Sequence, residues 1–316
     1  MDNLTHSLTG LLLSRAGLNK LSPKATWLMI LAANVPDIDI VALAGGTELY
    51  FEHHRGITHA LISLPVMALL PVLFVRFVLR QKLHWIRAWA ASGVGVASHL
   101  LLDFTNAYGI RLLLPFSDAW PALDLTNVID LFIWTVLLIC SVAPALSRLV
   151  SSEIGAKPTT GRGWAIAGLL LVLLYDAARV PLRDRVRAVQ EARIYQGQTP
   201  RRVLAFPTAV NPLSWRGLVE TDGFWVHSEI DLGAEFDPGA SRIIYKAQAS
   251  PAIQAADQEH VFQVFRKFSR ALQYGQSPAA SMADHTEVQA QDLLFGFKAT
   301  ALVDSSNRVT RSWFEY

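Results

Sequence analysis

The sequence predicts an α-helical membrane bundle of about six helices, followed by a small soluble α+β domain. Of the 316 residues, 52% are hydrophobic, and they concentrate before about residue 180. The apolar runs there are about as long as a bilayer requires, roughly 20 residues per helix. The loops between them are too short to hold a water-soluble core. After about residue 180 the pattern becomes that of a soluble domain.

Six apolar runs, bounded by charge or by Pro and Gly, are the candidate membrane helices. They cover about residues 4–18, 25–44, 59–79, 85–104, 127–147 and 163–180. We therefore divide the chain into a transmembrane helical domain, 1–180, and a soluble domain of unknown role, 181–316. The start, Met1-Asp2-Asn3, lacks the basic region of a secretory signal, so we expect the first run to stay in the mature protein.

Positive charge indicates the orientation of this bundle. The loops after the first and third helices contain Lys20, Lys24 and Arg80, whereas the short loops on the other side offer only Arg55 and Arg111. Because cytoplasmic loops carry the excess of Lys and Arg, the first set should face the cytoplasm. The C-terminal domain is then extracytoplasmic, although a group of arginines directly after the sixth helix opposes this orientation.

The residues after about position 180 are predicted to form a domain of about 120 residues. A basic amphipathic stretch comes first and is expected to lie on the membrane surface. Strands, a helix and a final hairpin follow, which is an α+β pattern. The corresponding segments are 182–195 for the amphipathic stretch, 202–206 and 223–230 for strands, 251–274 for the helix and 295–314 for the hairpin.

Charge and cysteine content argue against a nucleic-acid-binding protein and against a fold stabilised by an intramolecular disulfide. The formal net charge is +2, and no stripe of basic and aromatic residues is visible, so we expect no nucleic-acid partner. The one cysteine, Cys140, cannot form an intramolecular disulfide. The bilayer is the partner that the composition does predict, while the oligomeric state is left open.

Ionisable residues near the ends of the predicted helices form the candidate site. In a bilayer each costs at least about 2.5–3.5 kcal/mol, so such residues usually mark function. The start of helix one, the end of two, the start of three, the end of four and the start of five all lie at the same membrane face. These polar side chains can therefore converge: His6, Asp37, Asp39, His53, His54, Arg55, His59, His99, Asp103 and Asp130.

The local spacings suit a metal ion. His99 and Asp103 are four residues apart, so imidazole and carboxylate share one helix face. Pro36 should break the second helix, and if the chain beyond is extended, Asp37 and Asp39 point the same way. Imidazole with carboxylate suits zinc, manganese or iron better than calcium.

Each pair also has a simpler interpretation. His99 and Asp103 could form a helix-end hydrogen bond, Asp37 and Asp39 could be a solvated helix terminus, and His6 could lie among lipid headgroups. These explanations would require several independent coincidences at one membrane face. The convergence therefore favours the metal site.

Four ordered motifs, within residues 1 to 135, resemble those of the LexA-regulated, inner-membrane, YdjM-like metal-dependent hydrolases. A more distant similarity is to relatives of zinc-dependent phospholipase C. The resemblance implies a bacterial inner-membrane protein and assigns the metal positions to His6, Asp37, Asp39, His54, His59, His99 and Asp103. The motifs are Thr5-His6-Ser-Leu-Thr-Gly10, Asn34-Val-Pro-Asp-Ile-Asp39, His54-Arg-Gly-Ile-Thr-His59 and His99-Leu-Leu-Leu-Asp103 with Asn106 and Gly109.

Metal-assisted hydrolysis is the leading hypothesis. One or two divalent ions, zinc foremost, would polarise a phosphoryl or acyl oxygen and activate water. Asp39 or Asp103 could act as general base, and Arg55 could neutralise charge on a lipid or phosphoester substrate. The alternatives are a metal-ion or proton-coupled transporter and a membrane anchor that displays the C-terminal domain.

Overall fold

The computed structural model describes residues 1–22, 24–153, 161–280 and 282–315. Its N-terminal part is helical, and its C-terminal part is built from antiparallel sheets. Seven α-helices are described in the N-terminal part: α1 Asn3–Ala16, α2 Ala25–Ala32, α3 Thr47–His53, α4 Leu64–Leu73, α5 Trp85–Thr105, α6 Leu131–Glu153 and α7 Arg162–Glu191.

Within the described ranges, three helical stretches are long and apolar enough to cross a membrane. They are Leu61–Val78, Leu131–Leu149 and Arg162–Glu191. A fourth exists if α2 and the 3-10 helix Val35–Gly45, bent by 49°, form one span. The expected six spans are thus not all recovered. The first predicted run forms the 14-residue α1, which is short for a bilayer, and the fourth forms α5, whose polar residues lower its hydropathy.

Helix α1 packs against α2, α6 and α7. Its Leu12 is buried with Ile133 and Leu137 of α6 and Val172 of α7. A Cβ added at Gly10 would lie 2.6 Å from the backbone oxygen of Met29. Small residues at such crossings let helix backbones approach closely.

Helix α7 continues beyond the predicted end of the membrane domain. Its 30 residues run unbroken past position 180. Val186 is buried with Ala205, Trp215 and Ile230 of the first sheet. The prediction that 182–195 lies on the membrane surface is therefore wrong for α7, because its apolar face packs against that sheet. The domain boundary itself stays a prediction.

Two four-stranded antiparallel sheets form the C-terminal part, each with its strands in chain order. Helices α8 Pro251–Asp257 and α9 His260–Phe268 lie between them in sequence. The strands are β1 Arg202–Pro207, β2 Ser214–Glu220, β3 Phe224–Asp231 and β4 Arg242–Tyr245, then β5 Leu272–Pro278, β6 His285–Asp292, β7 Lys298–Asp304 and β8 Val309–Glu315.

The predicted hairpin at 295–314 is confirmed by β7 and β8, and the strands at 202–206 and 223–230 by β1 and β3. The single helix predicted for 251–274 is wrong. It is divided into α8 and α9, and its last residues begin β5, which pairs with β6. Local periodicity within 251–274 does not reveal that pairing, because β6 begins at residue 285, beyond the end of this segment.

The second sheet packs on the helical part. Phe51 of α3 is buried among aromatic side chains and stacks on Phe314 of β8 at a ring-centroid distance of 4.8 Å. In the loop after α5, Asp124 forms a two-point ion pair with Arg270, with nitrogen–oxygen distances of 2.7 Å. The C-terminal domain is therefore held against the face that carries the candidate site.

Candidate metal centre

Four predicted site residues form one cluster from three separate stretches of chain. Asp37 comes from the 3-10 helix after α2, His59 from the loop before α4, and His99 and Asp103 from α5. One potential ligand atom from each lies within 4.8 Å of the others. The side chains of His59, His99 and Asp103 are fully buried, and that of Asp37 is 19% exposed.

The distances within this four-residue cluster are short. The Nε2 atoms of His59 and His99 lie 3.1 Å apart. Asp37 Oδ1 is 3.4 Å from His59 Nε2 and 3.6 Å from His99 Nε2. Asp103 Oδ2 is 3.6 Å and 3.5 Å from the same two nitrogens. Two imidazoles and two carboxylates therefore face a common point.

The tautomer of His99 follows from its backbone contact. Its Nδ1 lies 2.8 Å from the carbonyl oxygen of Ala33. A carbonyl can only accept, so Nδ1 carries the proton and the neutral ring presents the Nε2 lone pair to the cluster. Neutral imidazole is the form that binds metal.

Asp103 is held by several polar groups. Arg55 donates from Nη2 and Asn106 donates from Nδ2 to Asp103 Oδ1, at 3.2 and 3.1 Å. His6 Nε2 lies 3.4 Å from the same oxygen, and the amino group of Met1 also contacts it. The Oδ2 atom faces the imidazoles of the cluster and also forms an ion pair with Arg55 Nη2 at 3.1 Å.

Asp39 and His54 lie beside the cluster rather than in it. Asp39 Oδ2 accepts a hydrogen bond from the Arg55 backbone at 2.7 Å and lies 3.4 Å from His54 Nδ1. It is 3.6 Å from His59 Nδ1, the ring nitrogen that points away from the other imidazole. The alternative of an extended chain placing Asp37 and Asp39 on one side is wrong, because Val35–Gly45 is a 3-10 helix.

His6 reaches the centre without being among the four grouped ligands. Its ring stacks on that of His99 at a centroid distance of 3.8 Å. Within the described chain, neither of its ring nitrogens has a hydrogen-bond partner. The predicted ligand role of His6, His54 and Asp39 stays a prediction.

The residues fit a divalent cation. Within the part of the chain that the structure describes, Asp37 Oδ2 is buried without a hydrogen-bond partner. Such atoms are rare in native interiors unless an ion or water satisfies them. Two nitrogens bound to one tetrahedral zinc would lie about 3.3 Å apart, close to the 3.1 Å between the two imidazoles. The cluster could thus bind a metal, whose identity the donor atoms do not decide.

Arg55 is buried and engaged inside the protein. Besides Asp103, its guanidinium donates to the carbonyl oxygen of Gly109 at 3.0 Å and lies over the ring of Tyr108 at 4.5 Å. The backbone at Arg55 has a positive φ of 50°. Its predicted role in neutralising substrate charge stays a prediction, while the described contacts hold the Asp103 carboxylate in place.

Two residues of the polar series have separate local roles. His53 Nδ1 contacts the carbonyl oxygen of Leu49 within α3 and lies away from the cluster. Asp130 accepts hydrogen bonds from the backbone of Phe132 and Ile133 at the start of α6. These contacts account for both residues without a ligand.

Sequence reasoning missed the contribution of Tyr108. Its ring lies 5.6 Å from that of His54 and 5.1 Å from that of Phe268 in α9. It therefore links the surroundings of the centre to the C-terminal domain. Local sequence spacing could not predict this role of Tyr108, because its contact with α9 joins residues 160 positions apart. Asn106, in contrast, could be found from the sequence as a polar residue about one helical turn after Asp103.

The fold and the centre together define a helical membrane protein with a buried group of residues able to hold a metal. The family model of the YdjM inner membrane protein matches residues 1–185, and the chain belongs to this family. It is therefore an inner membrane protein. The family match covers all four motifs and ends within α7.

Two relatives extend the comparison. The chain is 31% identical over 315 residues to the uncharacterized protein YfhP of Bacillus subtilis (strain 168), covering 94% of this chain and 88% of the relative. It is 33% identical over 119 residues to the inner membrane protein YbcI of Escherichia coli (strain K12), covering 36% of this chain and 68% of the relative. No solved structure matches the chain.

Proposed function

We propose that this protein is a membrane-bound, metal-dependent hydrolase that acts on a phosphoester or lipid-type substrate at the membrane face. The observation that carries the proposal is the 3.1 Å approach of the His59 and His99 Nε2 atoms between two carboxylates. In this proposal the chain crosses the inner membrane several times, and its C-terminal domain is extracytoplasmic.

Asp37, His59, His99 and Asp103 would hold the divalent cation, with zinc foremost and manganese or iron as alternatives. A cation bound there supplies Lewis acidity toward a phosphoryl or acyl oxygen and lowers the pKa of water. His54 and His6 would complete the ligand set or support a second ion.

The remaining carboxylate suits a proton-transfer role. Asp39 lies outside the group of four, and its Oδ1 atom has no hydrogen-bond partner among the described residues. It is therefore the better candidate for general base, with Asp103 as the other. The proximity of Asp39 to both His54 and His59 would let either imidazole share the proton.

Arg55 would favour an anionic substrate. Its buried guanidinium keeps a positive charge beside two carboxylates, and its Nε atom has no hydrogen-bond partner within the described ranges. A guanidinium binds phosphate oxygens with directed hydrogen bonds. This favours a phosphoester over a neutral ester.

Metal analysis combined with turnover tests the proposal. Purified full-length protein is compared with an Asp37→Ala, His99→Ala double variant and with His84→Ala, which changes an exposed histidine at the start of α5. We expect stoichiometric metal and hydrolysis of bis(p-nitrophenyl) phosphate in wild type and His84→Ala. The double variant should lose both, with turnover falling at least about 100-fold, since even second-sphere changes cost 10–100-fold.

Two other outcomes would replace the proposal. Uptake of the metal into vesicles without hydrolysis would support a transporter, since buried His and Asp residues also form ion pathways. Neither metal nor turnover in the wild-type protein would support a membrane anchor that presents the C-terminal domain.

A further inference from the structure

A groove of about 380 Å³ lies between the start of α1, the 3-10 helix after α2 and the C-terminal end of α4. Its walls are mainly apolar. Asp37 also lines it, together with two asparagines. The lining residues that carry the inference are Leu31, Val35, Asp37, Ile38, Leu70 and Phe74.

The groove opens on the lipid-facing side of the helical part. Helix α4 belongs to Leu61–Val78, one of the stretches able to cross a membrane. Phe74 and Ile38, which line the groove, are 43% and 46% exposed. Large apolar side chains exposed on a membrane span face hydrocarbon rather than water. A hydrocarbon chain in the bilayer can therefore reach the groove without crossing water.

Asp37 joins the groove to the candidate metal centre. It is the member of the four-residue cluster with an exposed side chain, at 19%, whereas the side chains of His59 and His99 are fully buried. Its Oδ1 atom lies 3.4 Å from His59 Nε2. A molecule lying in the groove thus meets the cluster at one end.

We propose that this groove holds one hydrocarbon chain of a lipid phosphoester, with the phosphoester group at Asp37 beside the four-residue cluster. The inference rests on the proposed function and narrows its substrate to a lipid entering from the bilayer. Pockets for small ligands occupy about 300–1,000 Å³ and are apolar with a few placed polar groups. The groove lies at the lower end of this range, which suits part of a single chain.

Another cavity beside the helical part does not suit such a chain. A cleft of about 430 Å³ lies between α3 and α9. It is lined by charged side chains from both halves of the protein, including Glu52, Arg111, Asp118 and Lys267, and by none of the four cluster residues. Burying hydrocarbon against charged groups strips them of water at a cost.

Photolabelling tests the groove without relying on hydrolysis. Full-length protein in phosphatidylcholine nanodiscs receives a trace of oleoyl lysophosphatidic acid with a diazirine near the chain end. Leu70→Trp would fill the groove, while Leu69→Trp changes a neighbour on α4 that is 38% exposed and does not line it. We expect labelling at Leu31 and Phe74 to fall about tenfold in Leu70→Trp, as loss of about two buried methylenes implies, and to persist in Leu69→Trp. Equal labelling in both variants would overturn the inference.

Kinetics separate this inference from the proposed function. In Leu70→Trp the KM for oleoyl lysophosphatidic acid should rise about tenfold, while turnover of the soluble ester bis(p-nitrophenyl) phosphate stays within about twofold. An unchanged KM with normal turnover of the soluble ester would refute the groove and leave the hydrolase standing. Groove-specific labelling in a protein that hydrolyses neither ester would refute the hydrolase and leave a lipid-binding groove.

Discussion

His99 donates its Nδ1–H to the carbonyl oxygen of Ala33 at 2.8 Å, which fixes the imidazole of α5 against the end of α2. The same ring presents Nε2 to His59. An outer hydrogen bond of this kind sets the tautomer and orientation of a metal-ligating histidine. The position of one helix relative to another thereby determines the geometry of the candidate centre.

Replacing His99 should abolish high-affinity metal binding. His99→Ala removes one of two imidazoles that face each other, and we expect the zinc affinity to fall at least about 100-fold, beyond the 10–100-fold typical of second-sphere changes. Isothermal titration calorimetry on the metal-stripped protein measures this affinity. His84→Ala is the matched control, and equal affinities in the two variants would contradict a centre at His99.

The close packing of α5 on α2 should be disturbed by a single added methyl group. A Cβ at Gly95 would lie 2.7 Å from Cβ of Ala32, whereas one at Gly93 would lie 4.0 Å from its nearest described neighbours on α4. Gly95→Ala should therefore destabilise the protein by about 1–3 kcal/mol through overpacking, and weaken metal binding by moving His99 from Ala33.

Gly93→Ala provides the control within the same helix. It should leave metal affinity unchanged and raise stability by up to about 1 kcal/mol, because alanine has the higher helix propensity. Thermal unfolding in detergent, followed by circular dichroism, compares the two variants. A Gly95→Ala protein as stable as Gly93→Ala would show that the α2 and α5 backbones are not in close contact.

Asp39→Asn should weaken the centre without destroying it. The carboxylate lies on the Nδ1 side of His59 and accepts the backbone hydrogen bond of Arg55, so its role toward the cluster is indirect. We expect about a 10–100-fold loss of metal affinity with unchanged stoichiometry. Asp118→Asn, at an exposed loop position, should have no effect, and a lost equivalent of metal in Asp39→Asn would instead make Asp39 a ligand.

The predictable parts of the centre are those set by local spacing. The pairing of His99 with Asp103 follows from their separation by four residues in a helix. The different directions of Asp37 and Asp39 did not follow, because the turn after Pro36 forms a 3-10 helix rather than an extended chain. The membrane location followed from apolar runs, while the number of spans did not, since α5 combines membrane length with polar residues.

Contacts between distant segments could not be predicted. The placement of the C-terminal domain depends on Phe51 meeting Phe314 and on Asp124 meeting Arg270. No local sequence pattern predicts either contact. The wrong single helix at 251–274 has a more local cause, because pairing with the next strand, β6, overrides helical periodicity in the last residues.

Breaking the Asp124–Arg270 pair should loosen this docking. Asp124 has a fully buried side chain, and Arg270→Ala leaves it with Arg187 at 3.3 Å. Removing one partner of a buried pair costs about 3–5 kcal/mol when the other charge is left unpaired. Because Arg187 remains beside Asp124, we expect a smaller loss of stability, and amide hydrogen exchange in residues 104–130 should accelerate. Arg266→Ala breaks an exposed pair with Asp257 and should cost at most about 1 kcal/mol. Equal protection in the two variants would argue against Asp124 as a docking contact.

The pH dependence of stability should reveal the buried Asp292. Burial raises the pKa of this carboxyl, against the hydrogen bonds from Ser269 and from the backbone of Phe295. Its contribution to stability is therefore full below the unfolded pKa of about 3.9 and is lost as pH rises through the higher folded-state pKa. The melting temperature of wild type should fall relative to Asp292→Asn as pH increases above about 4.

Asp304 supplies a control of opposite sign. Hydrogen bonds from the backbone of Arg308 and the hydroxyl of Ser306 lower the pKa of this carboxyl. Its contribution is present above the unfolded pKa and is lost as pH falls through the lower folded-state pKa. Wild type should therefore lose stability relative to Asp304→Asn only below about pH 4. If the difference in melting temperature between wild type and Asp292→Asn is the same at every pH, the Asp292 carboxyl has the same pKa in the folded and unfolded chains.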